Sequence, residues 1–273
     1  MAYNLVVPVL AQRELGGGCF QLRLAAPQIA AEARAGQFAM VGLPDIDAML
    51  IRRPFSVALV DPAPGAGTPA AFDIVYKVYG KRTLAFSHLR PGAELSVLGP
   101  LGRGFWLPEG DEAPELLLVA GGVGVAPFPL LLQSLTPAQR AKTTIFVGGR
   151  TADDLLLLDW LEGRAGRVVA ATEDGSRGVK GFVTAPLAAA LAAPAEAGRI
   201  VMACGPTPML RAVAALAEEN GVPCQVSIEE TMACGFGVCL GCVVQRRDPL
   251  GEFDRFVRVC TEGPVFDARE VRL

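Results

Sequence analysis

Histidine is all but missing from this chain: among 273 residues only His88 is one. A Ser-His-Asp or Cys-His mechanism, or a histidine-rich metal site, would have to run through it. Its setting, Phe86-Ser87-His88-Leu89, carries no supporting motif, so an ordinary surface or core histidine is expected. A basic field is missing too. The formal net charge is −3, and Lys and Arg gather in nothing longer than short pairs such as Arg246-Arg247, which argues against nucleic-acid binding. The N-terminal stretch MAYNLVVPVLAQRELGG lacks a basic segment followed by a long apolar run and a small-residue cleavage site. No signal peptide is expected, and the cytoplasm is the expected location. No membrane span is expected either. Residues 116–132 contain no charge, but Gly121, Gly122, Gly124, Pro127 and Pro129 interrupt the segment, and it is shorter than the ~20 residues a spanning helix needs. A buried strand, a glycine turn and the start of a buried helix fit better. With 51% hydrophobic residues, the chain has material for one large or two to three small globular domains.

The cysteines are unevenly placed. Cys19, Cys204 and Cys224 stand apart, whereas Cys234-x4-Cys239-x2-Cys242 is a tight group followed by Cys260 after seventeen intervening residues. A disulfide framework does not look like this. Structural zinc sites usually pair two short C-x2-C knuckles, while the C-x4-C-x2-C…C order is the plant-type 2Fe-2S spacing. Three thiolates within nine residues must wrap one face of a small anionic cluster. Gly235, Gly237 and Gly241 allow the close backbone approach and positive φ that aim amides at sulfur. Zinc or free core cysteines remain the alternative reading of these residues.

The middle of the chain alternates between strand and helix patterns. Leu116 to Pro127 reads as a strand running into a glycine turn and a helix, a place where a phosphate or nucleotide sits. It departs from G-x-G-x-x-G because Pro127 stands where the third glycine would be. Strands are expected at 143–147, 167–171 and 199–203, with helices at 155–161, 186–191 and 208–220. The sum is a βαβ domain sized for one nucleotide. The first hundred residues instead show short strands, at 20–24, 57–60 and 72–78, separated by Gly/Pro turns such as the loose one at 62–67. That pattern predicts a small antiparallel barrel.

Five motifs in order resemble the ferredoxin-NADP reductase superfamily. Arg53-Pro54-Phe55-Ser56 is similar to its R-x-x-[ST] flavin motif, and Val75-Tyr76-Lys77 with Gly80-Lys81-Arg82-Thr83 to its second flavin segment. Gly99 to Phe105 resembles the end-of-barrel signature; Ala120 to Pro127 and Cys204-Gly205-Pro206 resemble the pyridine-nucleotide motifs. The cysteine group, preceded by Glu229-Glu230-Thr231-Met232-Ala233, is similar to one branch, the iron-sulfur electron-transfer subunits of class B, NAD-dependent dihydroorotate dehydrogenase. Two departures stand out: Arg82 replaces the second glycine of the family's G-x-G-T turn, and Ala120 stands where many relatives have glycine.

The resemblance implies a β-barrel plus α/β chain with three parts: an N-terminal antiparallel FAD-binding barrel (1–108), a central parallel-sheet NAD-binding domain (109–223) and a small 2Fe-2S module (224–273). Arg53, Pro54, Phe55, Ser56, Val75, Tyr76, Lys77, Arg82 and Thr83 would hold FAD. Gly121, Gly122, Gly124, Cys204, Gly205 and Pro206 would shape the NAD pocket, and Cys234, Cys239, Cys242 and Cys260 would hold the cluster. No catalytic side chain is assigned. Two-electron chemistry with NADH would become one-electron transfer to a partner, an FMN-containing dihydroorotate dehydrogenase catalytic subunit, in a heterotetramer with two copies of each. Other readings are a reductase subunit for a hydrogenase, sulfide or ferredoxin-linked complex, or a non-catalytic zinc-stapled protein. Either Arg150 or Arg177 could bind a 2′-phosphate, so NAD and NADP are not separated by sequence.

Overall fold

The computed structural model describes residues 1–44, 51–62, 67–68, 70–107, 114–195, 197–249, 251 and 254–273. Residues 63–66 of the expected loose turn, and the expected domain boundary at 108/109, lie outside the described residues.

Six antiparallel strands close a barrel: β1 (Tyr3–Gly16), β2 (Cys19–Leu24), β3 (Phe38–Gly42), β4 (Arg53–Asp61), β5 (Ala71–Lys77) and β6 (Glu94–Leu101), in the order β1-β2-β5-β4-β3-β6. Period-two patterning is clear in β1, whereas β3 and β5 are buried almost throughout. In β1, Val7 and Val9 are buried while Val6, Pro8 and Leu10 face out. Strand β5 is buried along almost its whole length, so its Asp73 must be paired. Arg23 Nε donates to Asp73 Oδ1 at 2.8 Å, and Gln21 Nε2 donates to the other carboxylate oxygen.

The second layer is a seven-stranded sheet. It contains β7 (Glu115–Gly121), β8 (Thr143–Gly149), β9 (Arg167–Thr172), β10 (Val179–Lys180), β11 (Arg199–Cys204) and β12 (Cys224–Ser227). A separate two-stranded piece, β13 (Val243–Gln245) with β14 (Phe256–Arg258), precedes β15 (Val265–Asp267), which returns to the sheet. The sheet order is β10-β9-β8-β7-β11-β12-β15, parallel except for β15 against β12. The chain runs from β7 outward through β8 to β10, then crosses back to place β11 on the other side of β7. The crevice beyond the C-terminal ends of β7 and β11 is therefore a topological switch point, where open α/β sheets bind ligands.

Two expectations differ from the structure. The helix expected at 155–161 is confined to Leu158–Glu162, because Leu157 takes a left-handed φ of 58° and breaks the run. Leu155, Leu156, Leu157 and Leu158 are all buried, so this apolar stretch packs as a bent plug and not as one amphipathic face. Residues 224–227, expected to open the cysteine module, are fully buried and hydrogen-bonded between β11 and β15. The cysteine segment thus grows out of the sheet and is stitched back into it.

Barrel and sheet are fixed to one another. Gln133, on the helix Phe128–Ser134 that follows the glycine turn, accepts from Val60 N (3.1 Å) and donates to Val60 O (3.0 Å) of β4. Gln225 of β12 does the same with the backbone of Trp106. His88 is exposed just beyond the helix Lys81–Ser87.

Candidate functional site

A cavity of about 760 Å³ lies between the barrel and the switch point. The start of β4 supplies Arg53, Pro54, Phe55 and Ser56; the end of β5 supplies Val75, Tyr76 and Lys77; the first turn of the helix Lys81–Ser87 supplies Arg82 and Thr83. Thr83 Oγ1 accepts from Tyr79 N (2.9 Å) and Gly80 N (3.2 Å), which closes that turn. Tyr76 is mainly a core ring, stacked on Phe20 at 5.6 Å and edge-on to Phe55 and Phe86. Burial pushes its hydroxyl up, and that hydroxyl donates to Gln12 Oε1 at 3.2 Å. The far wall comes from Val123, Ala126, Cys204 and residues 227–232.

A second cavity, about 830 Å³, opens at the C-terminal edge of the sheet. Gly121, Gly122, Gly205 and Pro206 line it, as do Gly148 and Gly149 at the end of β8. Gly124 lines neither cavity; it is buried against the backbone of Cys204 and Gly205, holding the two turns together. Lys77, Tyr79, Val123 and Glu229 belong to both cavities, which therefore meet there. Both volumes suit a nucleotide-sized ligand.

Charge at this junction is arranged. Lys77 Nζ lies 3.2 Å from Asp154 Oδ1, and Arg150 Nε lies 3.5 Å from Oδ2 of the same carboxylate. Burial would raise the Asp154 carboxyl, but Lys77 and then Arg150 outweigh it and hold it below its ordinary value. Arg177 sits 3.7 Å from Glu162. Cys204 is buried. Burial and then the Glu229 charge raise its thiol, so it faces the first cavity as a neutral group. Glu229 borders both cavities; it is exposed, yet the surrounding protein still raises its carboxyl by desolvation.

The four clustered cysteines are mutual neighbours: Cys234 lies beside Cys239, and Cys260 beside Cys242 with Cys234 also near it. Burial alone would raise Cys234. Hydrogen bonds from the backbone of Cys239, Phe236 and Val238, together with the Cys239 thiol, outweigh burial and bring it to about 6. Such amides are those that steady thiolate sulfur in a bound cluster. Cys260 is pushed up to about 12, first by burial and then by Cys242 and Cys234, although Gly237 N–H points at it. Cys242 and Cys260 are buried, Cys234 is half-buried and Cys239 is exposed. Gly235 and Gly237 do take positive φ (82° and 92°), but the third left-handed position of the loop is Leu240 (56°), not Gly241. Among the described residues, no three His, Cys, Asp or Glu side chains are grouped as a single metal ion would need.

Residues 229–272 match the family described as the iron-sulfur cluster binding domain of dihydroorotate dehydrogenase B, and residues 118–215 match the oxidoreductase NAD-binding domain. The dihydroorotate dehydrogenase B (NAD(+)) electron transfer subunit homolog of Aquifex aeolicus is 38% identical over 274 residues, covering 100% of both chains. The electron transfer subunit of Shouchella clausii is 34% identical over 97% of this chain and 96% of its own. The chain belongs to the family of dihydroorotate dehydrogenase B electron transfer subunits. Among solved structures, a chain of the NADH-dependent reduced ferredoxin-NADP oxidoreductase, described for flavin-based electron bifurcation, superposes with a TM-score of 0.80. It has 28% identity and is covered to 91%, with 100% of this chain matched.

Within that family frame, three wall residues escaped the sequence reading. Tyr79, Val123 and Glu229 join the two cavities; Val123 lay inside the quoted Ala120–Pro127 motif without being singled out, and Tyr79 carried no signal. Glu229 carried one signal, its place just ahead of the cysteine group, where the matched cluster-binding region begins.

Proposed function

We propose that this chain carries electrons between NAD(H) and an FMN-containing dihydroorotate dehydrogenase catalytic subunit, with FAD in the first cavity, NAD in the second and a 2Fe-2S cluster on Cys234, Cys239, Cys242 and Cys260. When bound, the flavin exchanges a hydride with nicotinamide and releases electrons singly, which suits a one-electron cluster. Arg53, Ser56, Lys77 and Thr83 would hold the flavin. Gly121, Gly122, Gly205 and Pro206 let the nucleotide approach the ends of β7 and β11 closely. The cavities meet at Lys77, Tyr79, Val123 and Glu229, where a nicotinamide in one would lie next to a flavin in the other.

One observation carries the reading. Residues 229–232 wall the first cavity, and Cys234 follows two residues later, a chain distance of at most about 7 Å. Flavin site and cluster site thus share one segment. Beyond them, Phe236, Val238 and Leu240 are 53%, 69% and 61% exposed around the exposed Cys239. Apolar side chains left open beside the outermost ligand suit a protein partner. Among the described residues no helix is long and apolar enough to cross a membrane. A cytoplasmic assembly with two copies of each subunit completes the proposal.

The rival reading, a reductase subunit of another complex, draws on the full-length likeness to the reduced ferredoxin-NADP oxidoreductase chain. Anaerobic titration with NADH decides between them. The purified chain bleaches at its flavin and cluster bands, and dihydroorotate-dependent NAD⁺ reduction appears only with a coexpressed FMN-containing subunit. Full activity of the chain alone, or no bleaching by NADH, refutes the proposal.

A further inference from the structure

Thr261 follows Cys260 on the short helix Val259–Glu262. That helix is tied to the cysteine loop, because Val259 N donates to Cys242 O at 2.8 Å. Its last residue is engaged on its own side: Glu262 Oε2 accepts from Arg258 N (2.9 Å) and Arg258 Nε (3.1 Å). Thr261 Oγ1 differs. It is shielded from solvent, and among the described residues it has no hydrogen-bond partner, the thiols of Cys234, Cys239, Cys242 and Cys260 included. A hydroxyl carries one donor and two acceptor sites, and leaving it unmade in the interior is costly.

The side chain lies against the middle of the cysteine loop. A methyl group added to Gly237 would sit 2.9 Å from Thr261 Cγ2 and 3.7 Å from Thr261 Oγ1. The N–H of Gly237 already points at Cys260. The unpaired hydroxyl thus belongs to the small set of groups packed around Cys260, and the acceptor that a bound 2Fe-2S cluster brings there is sulfur.

We infer that the Thr261 hydroxyl donates to a sulfur of the bound cluster and raises its reduction potential. The inference rests on the four cysteines holding a 2Fe-2S cluster. Reduction adds one negative charge to the cluster, and a donor directed at its sulfur favours the reduced form. Thr261 tunes the cluster without ligating iron.

The test uses the full chain with flavin and iron bound, titrated potentiometrically without oxygen while the electron paramagnetic resonance signal of the reduced cluster is followed. Thr261→Val keeps the branched shape and removes the donor. Its reduction equilibrium shifts about tenfold toward the oxidised cluster, about 59 mV downward for one electron. Thr261→Ala shifts it the same way, Thr261→Ser holds the unaltered potential, and the flavin midpoint stays where it is in all three. An unchanged cluster potential in Thr261→Val, or an equal fall in Thr261→Ser, overturns the inference. Loss of iron uptake in both hydroxyl-free variants overturns it too, since Thr261 is then a packing residue. If the unaltered chain binds zinc and neither iron nor acid-labile sulfide, the cluster reading itself fails instead.

Discussion

Gly124→Ala tests whether the nucleotide cavity is built by two backbone turns in contact. Gly124 sits in the 3-10 turn Gly122–Val125 after β7, and a methyl group there would lie 2.6 Å from the carbonyl carbon of Cys204 and 2.7 Å from Gly205 Cα, overlapping the Cys204 carbonyl oxygen as well. Carbon atoms pack at about 3.5–4.0 Å, so the two turns must part by roughly 1 Å. The obstructing atoms are backbone at the end of a central strand and cannot rotate away. Overpacking of this kind costs about 1–3 kcal/mol, and at about 2–4 °C per kcal/mol the melting point falls by roughly 2–12 °C. The functional effect is larger, since a misplacement of about 1 Å can cost on the order of a hundredfold in rate. Stopped-flow reduction of the bound flavin by NADH should slow by that order, while reduction by dithionite, which needs no nucleotide cavity, stays unchanged. Gly122→Ala is the contrast. Nothing lies within 4 Å of its added methyl, but its φ is +53°, so it loses about 1–2 kcal/mol through strain alone. Asn recovers part of this loss at position 122 and none at 124. A Gly124→Ala chain with normal melting and normal NADH kinetics refutes the contact between the turns.

Two further outcomes are expected. Because the folded Asp154 carboxyl lies below its ordinary value, its ion pair with Lys77 contributes stability that is complete above the unfolded value, near 4, and is lost as pH falls through the lower folded value. The melting-point gap between the unaltered chain and Asp154→Asn should therefore be constant from pH 7 to about 5 and shrink below about 4, and a gap indifferent to pH counts against the pair. Leu240→Glu places a charge on the exposed apolar rim beside Cys239. It should abolish copurification of the catalytic subunit while NADH-driven dye reduction by the isolated chain persists; retained assembly would move the interface elsewhere.

Local pattern was enough for much of this molecule. Short strands between Gly/Pro turns at 20–24, 57–60 and 72–78, the apolar run 116–120 ending in glycines, and the C-x4-C-x2-C group each depend on neighbours within a dozen positions, and so they were legible before folding; β1, β3 and β6 were not singled out. The helix expected at 155–161 was not, because apolarity alone does not separate a buried helix from a buried bend. Leu157 bends there in a position that burial, not propensity, selects.

The sequence by itself determined the parts: a barrel, a nucleotide-binding sheet, and four thiols with cluster spacing, because each is written in residue types at short range. Only the tertiary structure decided how the parts meet. Strand order puts the turns after β7 and β11 side by side. Pairing of β15 with β12 returns the cysteine segment to the sheet. Glu229 and Met232 thereby become walls of the first cavity two to five residues ahead of Cys234. Those contacts join residues far apart in sequence, and they are chosen by the burial of whole faces, which no local spacing records.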